Sequence, residues 1–286
     1  MDELWENLLK FDEHTWTADR AERDPESLES IRQDIVKDAT VTEGKRLLDH
    51  VLERSLATLA DHIPNPSGTL VVFNPLNWSR SSLVVTDLDK GLDLVDLATH
   101  QNVPFEVLSA GQIHRRIRFL ASDVPALGYK CYAFRPAKGE PPATSLGPLT
   151  TIESPYYRVI LDPTSGAVKG IYDKELQKEL VDDSSPYRFN QYLYVTGGDE
   201  APNRLLNYNP LWPLPKLVSH GAENGRLVSV SKSPQGIVAH LESSATNTPR
   251  IETEIILFDK QKKIEFINHV HKTKVYTKEG VYFAFP

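Results

Sequence analysis

Residues 153–175, ESPYYRVILDPTSGAVKGIYDKE, constrain the fold more than any other stretch of the chain. Tyr156, Arg158 and Ile160 alternate with Tyr157, Val159 and Leu161. That is the period-two pattern of a strand with two distinct faces. Asp162-Pro163-Thr164-Ser165-Gly166 then supplies a turn. Pro163 presets φ, Asp162 can bond the backbone ahead of it, and Gly166 takes a positive φ at no steric cost. A strand restarts over 167–172 around Val168 and Ile171, and a second turn follows at Asp173-Lys174-Glu175. The stretch predicts an antiparallel hairpin, and the ordinary home of such a hairpin is a β-sandwich.

Strand patterns continue on both sides of it. Residues 69–73, 82–86, 105–108, 114–120 and 128–134 precede the hairpin, and 187–196, 226–231, 236–243, 250–258, 263–271 and 281–285 follow it. Many short strands between turn residues indicate an all-β sandwich. Residues 136–148 carry Gly139, Pro141, Pro142 and Gly147 and read as a linker or long loop.

Residues 2–63 follow the helical period instead. Leu4, Trp5, Leu8 and Leu9 make one apolar stripe. Asp24 before Pro25 predicts a helix start, with Asp24 as the cap. Leu28, Ile31, Ile35, Val36, Leu47, Leu48, Val51, Leu52, Leu56 and Leu59 continue the pattern, with a local interruption expected at Gly44. Ile63-Pro64-Asn65-Pro66-Ser67-Gly68 ends it, because two prolines and a glycine cannot prolong a helix. The predicted organisation is a helical domain over 1–63 and a β domain over 64–286.

With 286 residues and 40% hydrophobic side chains, the chain has ample material for a core. Its net charge of -7 argues against non-specific nucleic-acid binding, which needs a basic surface. The acidic, amphipathic start is no secretory signal, and no apolar run is long enough to span a bilayer. A single cysteine, Cys131, forbids an internal disulfide and fits a reducing compartment, so a cytoplasmic location is expected. In its alternating strand Cys131 reads as a small hydrophobe rather than a nucleophile. The last residues, Tyr282-Phe283-Ala284-Phe285-Pro286, lie inside an apolar strand pattern, which leads to the expectation that the chain is a fragment.

Five segments carry a more specific signal. Asp12-Glu13-His14-Thr15-Trp16, after Trp5, Leu8, Leu9 and Phe11, resembles the Asp-Glu-His-Thr-Trp segment of bacterial α-mannosidases of glycoside hydrolase family 38. Val71-Val72-Phe73-Asn74-Pro75-Leu76-Asn77-Trp78-Ser79-Arg80 is similar to that family's entry into its β region, and Asp123-Val124-Pro125-Ala126-Leu127-Gly128-Tyr129 to one of its strands. The 153–175 hairpin and the closing 278–286 match in order and approximate spacing. The resemblance spans most of the chain.

What it implies is an α+β multidomain protein. A short, three-helix-bundle-like segment would precede a large antiparallel β-sandwich of galactose-mutarotase-like type, incomplete at its C-terminus. The catalytic α/β domain would lie upstream and carry the nucleophile and the His-x-Asp metal ligands. None of the nine histidines here has Asp two residues on, so no catalytic residue is assigned to this chain. The implied activity is retaining, zinc-dependent hydrolysis of α-mannosides. The chain alone is expected to be inactive and to hold no zinc.

The resemblance makes His14 the candidate zinc ligand, with Asp12 or Glu13 near enough in sequence to orient its ring. Here Thr17 stands where the bacterial relatives have Gly, and an ordinary helix-end histidine is the competing account. Asp199 and Glu200, in Gly197-Gly198-Asp199-Glu200-Ala201-Pro202-Asn203, are candidate substrate ligands that would bond sugar hydroxyls, although such a loop is more often a solvated turn. His269 and His271 share a strand face with no third ligand evident, and a surface pair is the commoner meaning. Tyr192, Tyr194, Tyr208 and Trp212 are the aromatic residues able to stack on a sugar, or else to face a core. Two other functions fit the pattern: a non-catalytic carbohydrate-binding or scaffolding sandwich, and an aldose-epimerase-like enzyme.

Overall fold

Local chemistry starts both helices. In the computed structural model, which describes residues 1–13, 21, 24–64, 68–137, 144–198 and 216–286, helix α1 spans Asp2–Asp12. It has Asp2 and Glu3 in its first turn and Lys10 in its last, the charge order a helix dipole favours. Helix α2 spans Leu28–Asp61 and is capped by Ser27, whose hydroxyl accepts from the Ser30 amide at 3.2 Å. This corrects the assignment of the cap to Asp24. The Asp24 carbonyl instead accepts from the Ser27 amide and, at 2.8 Å, from the Ser30 hydroxyl. Gly44 does not interrupt α2 either. It is buried, and a Cβ there would meet Leu8 Cδ2 of α1 at 3.4 Å, so the glycine serves close helix packing.

The inner face of α2 is small and polar, with Ser30, Thr40 and Gly44 buried. Its leucines lie elsewhere. Leu28, Ile35, Leu48, Leu52, Leu56 and Leu59 are all exposed.

Two units divide the chain, Met1–Val71 and Val72–Pro286, and the division falls within strand β1 (Thr69–Asn74). After it come β2 (Arg80–Asp89), β3 (Leu92–Asp96), β4 (Asn102–Val103), β5 (Phe105–Ala110), β6 (His114–Val124) and β7 (Gly128–Pro136). Next are β8 (Thr144–Ser145), β9 (Thr151–Glu153), β10 (Tyr157–Asp162), β11 (Ala167–Asp173), β12 (Lys178–Glu179) and β13 (Gln191–Gly197). The last six are β14 (Leu217–Gly221), β15 (Glu223–Ser233), β16 (Gly236–Ala245), β17 (Thr248–Phe258), β18 (Ile264–His271) and β19 (Glu279–Ala284). They form sheets of order β1-β7-β3-β4, β2-β6-β5, β12-β11-β10-β9, β18-β17-β16-β15-β8 and β14-β13-β19.

The predicted hairpin is β10 and β11, paired antiparallel, with Gly166 left-handed at φ 67°. Its second turn is closed by Asp173, whose carboxylate accepts from the amides of Glu175 and Leu176 at 2.9 Å each. Val159 and Leu161 point inward, as the alternation requires. With Ile152, Val168 and Ile171 they pack on Val230, Ala239, Leu241, Ile255 and Leu257 of the five-stranded sheet. The other face of that sheet is also covered: Val238, Ile256 and Phe258 meet Leu83 and Leu120 of the β2-β6-β5 sheet. This explains why Ile255, Ile256, Leu257 and Phe258 are buried in succession, since a strand covered on both faces has no solvent side.

One charged bolt crosses the second interface. Arg118 of β6 is 5% exposed and pairs with Glu106 of β5 at 2.8 Å and with Glu254 of β17. A buried guanidinium with two carboxylates keeps its charge, and removing Arg118 would leave both carboxylates uncompensated. Among the described residues no helix is long and apolar enough to cross a membrane.

Candidate functional site

Two of the five segments singled out in the sequence, 71–80 and 123–129, are joined in space. Asn74 ends β1, is 2% exposed, and aims its amide at the carbonyls of Trp78, Val124 and Pro125 at 2.8, 3.2 and 3.0 Å. Its own carbonyl accepts from the Leu76 amide at 3.1 Å, and the Leu76 carbonyl accepts from Leu127 at 2.8 Å. The Phe73-to-Arg80 and Asp123-to-Tyr129 segments are thus one structural knot, in which Asp123 and Leu127 take positive φ values of 52° and 45°. Asparagine suits the post because it donates and accepts from one short side chain.

His14, Asp199 and Glu200 fall outside the described residues, as do Thr15, Trp16, Asn203, Tyr208 and Trp212. Tyr192 and Tyr194 are core residues, 2% and 0% exposed. The Tyr192 hydroxyl meets Thr248 at 2.7 Å, and the Tyr194 hydroxyl donates to Glu279 at 2.5 Å while accepting from Asn247. Neither ring offers a platform for a sugar. His269 and His271 are both exposed on β18, and His271 Nε2 sits 3.1 Å from Glu252, whose carboxylate also pairs with Arg250 at 2.8 Å. Among the described residues no group of three or more His, Cys, Asp or Glu is arranged to hold a metal. Cys131 is half-buried on β7.

A polar cleft was not read from the sequence. It has a volume of about 230 Å³ and opens where the β3–β4 turn, the end of β6, β7 and the β15–β16 turn converge. Asp96, at the end of β3, forms an Asx turn: its carboxylate accepts from Ala98 at 2.8 Å and more weakly from Thr99. The other carboxylate oxygen pairs with Lys130 of β7 at 2.9 Å. Burial pushes the Asp96 carboxyl up, but the Lys130 ammonium and the turn amides outweigh it and hold it below the usual range.

Tyr132, two residues after Lys130, faces the same way on β7 and lines the same cleft. Its ring stands edge-on to Phe119, centroids 5.1 Å apart, and its hydroxyl is buried without a hydrogen-bond partner. Burial first, then the nearby Asp96 carboxylate, push the phenol well above its ordinary pKa, so it stays protonated and remains a donor. Gln235 closes the far side and is itself anchored, donating to the Arg118 carbonyl at 3.3 Å. The one sequence signal for this cleft is the alternation that puts Lys130 and Tyr132 on one face. Compared with known proteins, the chain matches no family model and no curated protein.

Proposed function

We propose that this chain is the helical and β-sheet part of a metal-dependent retaining α-mannosidase of glycoside hydrolase family 38 type, with a middle helical domain and a galactose-mutarotase-like sandwich. The observation that carries the proposal is the ordered set of five family-like segments, two of which Asn74 ties together across 50 residues of sequence. A buried carboxamide with this many backbone partners gives those two segments a joint role in holding the fold, which supports reading them together. The exposed leucines of α2 add support, because a helix that presents Leu48, Leu52, Leu56 and Leu59 outward is built to pack against further protein.

In this reading the substrate is an α-mannoside, and the chemistry belongs to an upstream domain with a carboxylate nucleophile. His14 is of a donor type that zinc accepts, and Asp12 or Glu13 would orient it; the other ligands come from that upstream domain. Zinc, when bound there, supplies a Lewis acid beside the sugar hydroxyls. The coding sequence upstream of Met1 provides the test. An in-frame α/β domain with a His-x-Asp motif, and release of an aryl alcohol from an aryl α-mannoside by the complete product, are expected. A product that starts at Met1 and leaves α-mannosides intact would instead be a binding or scaffolding sandwich.

A further inference from the structure

We propose that the cleft between Asp96, Lys130, Tyr132 and Gln235 is a binding site for a neutral polyhydroxylated ligand, a single hexose unit in size. Its volume of about 230 Å³ admits one sugar ring and little more. Its charges cancel by sign: Lys130, paired with Asp96, and Lys260 line it together with Asp96 and Asp123. With lysines and aspartates in equal number, the cleft has no net charge to favour a phosphate or a metal ion over a neutral ligand. The rest of the lining mixes apolar Val103 and Leu120 with hydroxyl and carboxamide groups, including Asn102, that donate and accept at once as sugar hydroxyls do.

The Tyr132 hydroxyl points to a ligand rather than to packing. A buried donor left unmade costs free energy, and such groups in folded proteins call for an explanation. The edge-on Phe119 contact fixes the ring, so the phenol cannot swing away to find a partner within the sheet. In the free cleft the hydroxyl is covered. A ligand reaches it when the Lys130–Asp96 ion pair opens, the four-carbon stem of Lys130 swinging aside and freeing one oxygen of Asp96. The ligand hydroxyl then accepts from Tyr132 while its neighbours engage Asp96. Binding here is independent of the α-mannosidase proposal, because it is an equilibrium property of this chain and involves no catalysis.

Amide shifts of the intact chain, titrated by nuclear magnetic resonance with D-mannose, D-galactose, glycerol, inorganic phosphate and Mg²⁺, test it. Saturable shifts at Thr99, Asn102 and Gln235 are expected for a hexose, with a Kd on the order of 1 mM, as befits one ring in a small site. Methyl α-D-mannoside, with its anomeric oxygen capped, separates the two sources: retained affinity identifies a glycan end, lost affinity a free sugar. Tyr132→Phe keeps the ring and is expected to raise the hexose Kd roughly tenfold, the worth of one hydrogen bond. No saturation by any hexose at about 100 mM, saturation by phosphate or Mg²⁺ alone, or an unchanged Kd in Tyr132→Phe would each overturn the assignment.

Discussion

One carboxamide, that of Asn74, holds segments 50 residues apart, and its loss would orphan several buried backbone groups at once. Asn74→Ala is therefore expected to destabilise the β unit by about 3 kcal/mol, read as a lower urea midpoint with an unchanged slope. The opposite sign is expected at Tyr132. Replacing it with Phe removes a buried hydroxyl that has no partner and leaves the edge-on contact with Phe119, so stability should rise by about 1 kcal/mol, read as a higher urea midpoint. A fall would mean that the hydroxyl is satisfied in solution. Asp96 supplies a pH dependence. Its folded pKa lies below the unfolded value near 3.9, so its contribution is present above about pH 4 and is lost as pH falls through the folded pKa. Asp96→Asn should melt lower than the parent at neutral pH, and the gap should narrow as pH falls below about 4 and through the lowered folded pKa.

At the scale of elements, the hairpin was legible because its signals are local: Pro163, Gly166 and the two-residue alternation act within one turn and two strands. Where it docks was not legible. The Pro163–Ser165 turn sits on β15 at Gly225, where a Cβ would lie 2.0 Å from the Pro163 carbonyl oxygen. Gly225→Ala should accordingly disturb the seating of the hairpin, visible as faster amide exchange over 159–171, whereas a surface alanine elsewhere on β15 should not. Two local readings failed for a shared reason. Asp24 and Ser27 are both good caps, and Gly44 suits a break as well as a close approach, so neighbours alone could not choose. Strand β3 lacked any signal of its own and exists through its pairing with β4 and β7. The cleft shares that origin: its walls run from Asp96 to Lys260, brought together by strand pairing that no single motif encodes.

At the scale of the whole molecule, the composition of 64–68 and the division within β1 predict that limited proteolysis first cuts near Gly68 and leaves a stable C-terminal piece. Early cutting inside 69–86 would contradict this. The chain by itself should not turn over an aryl α-mannoside, since its proposed chemistry lies upstream; a kcat of about 1 s⁻¹ or more would be incompatible with that. The most direct test of the α-mannosidase account is the zinc content and aryl α-mannoside turnover of the complete gene product beside its His14→Ala variant. One zinc per chain is expected in the parent, and loss of most of the metal together with most of the activity in the variant, well beyond the ten- to hundredfold effect of a residue that merely orients a ligand. Full zinc and near-normal kcat in His14→Ala, or a complete product that leaves α-mannosides untouched, would contradict it.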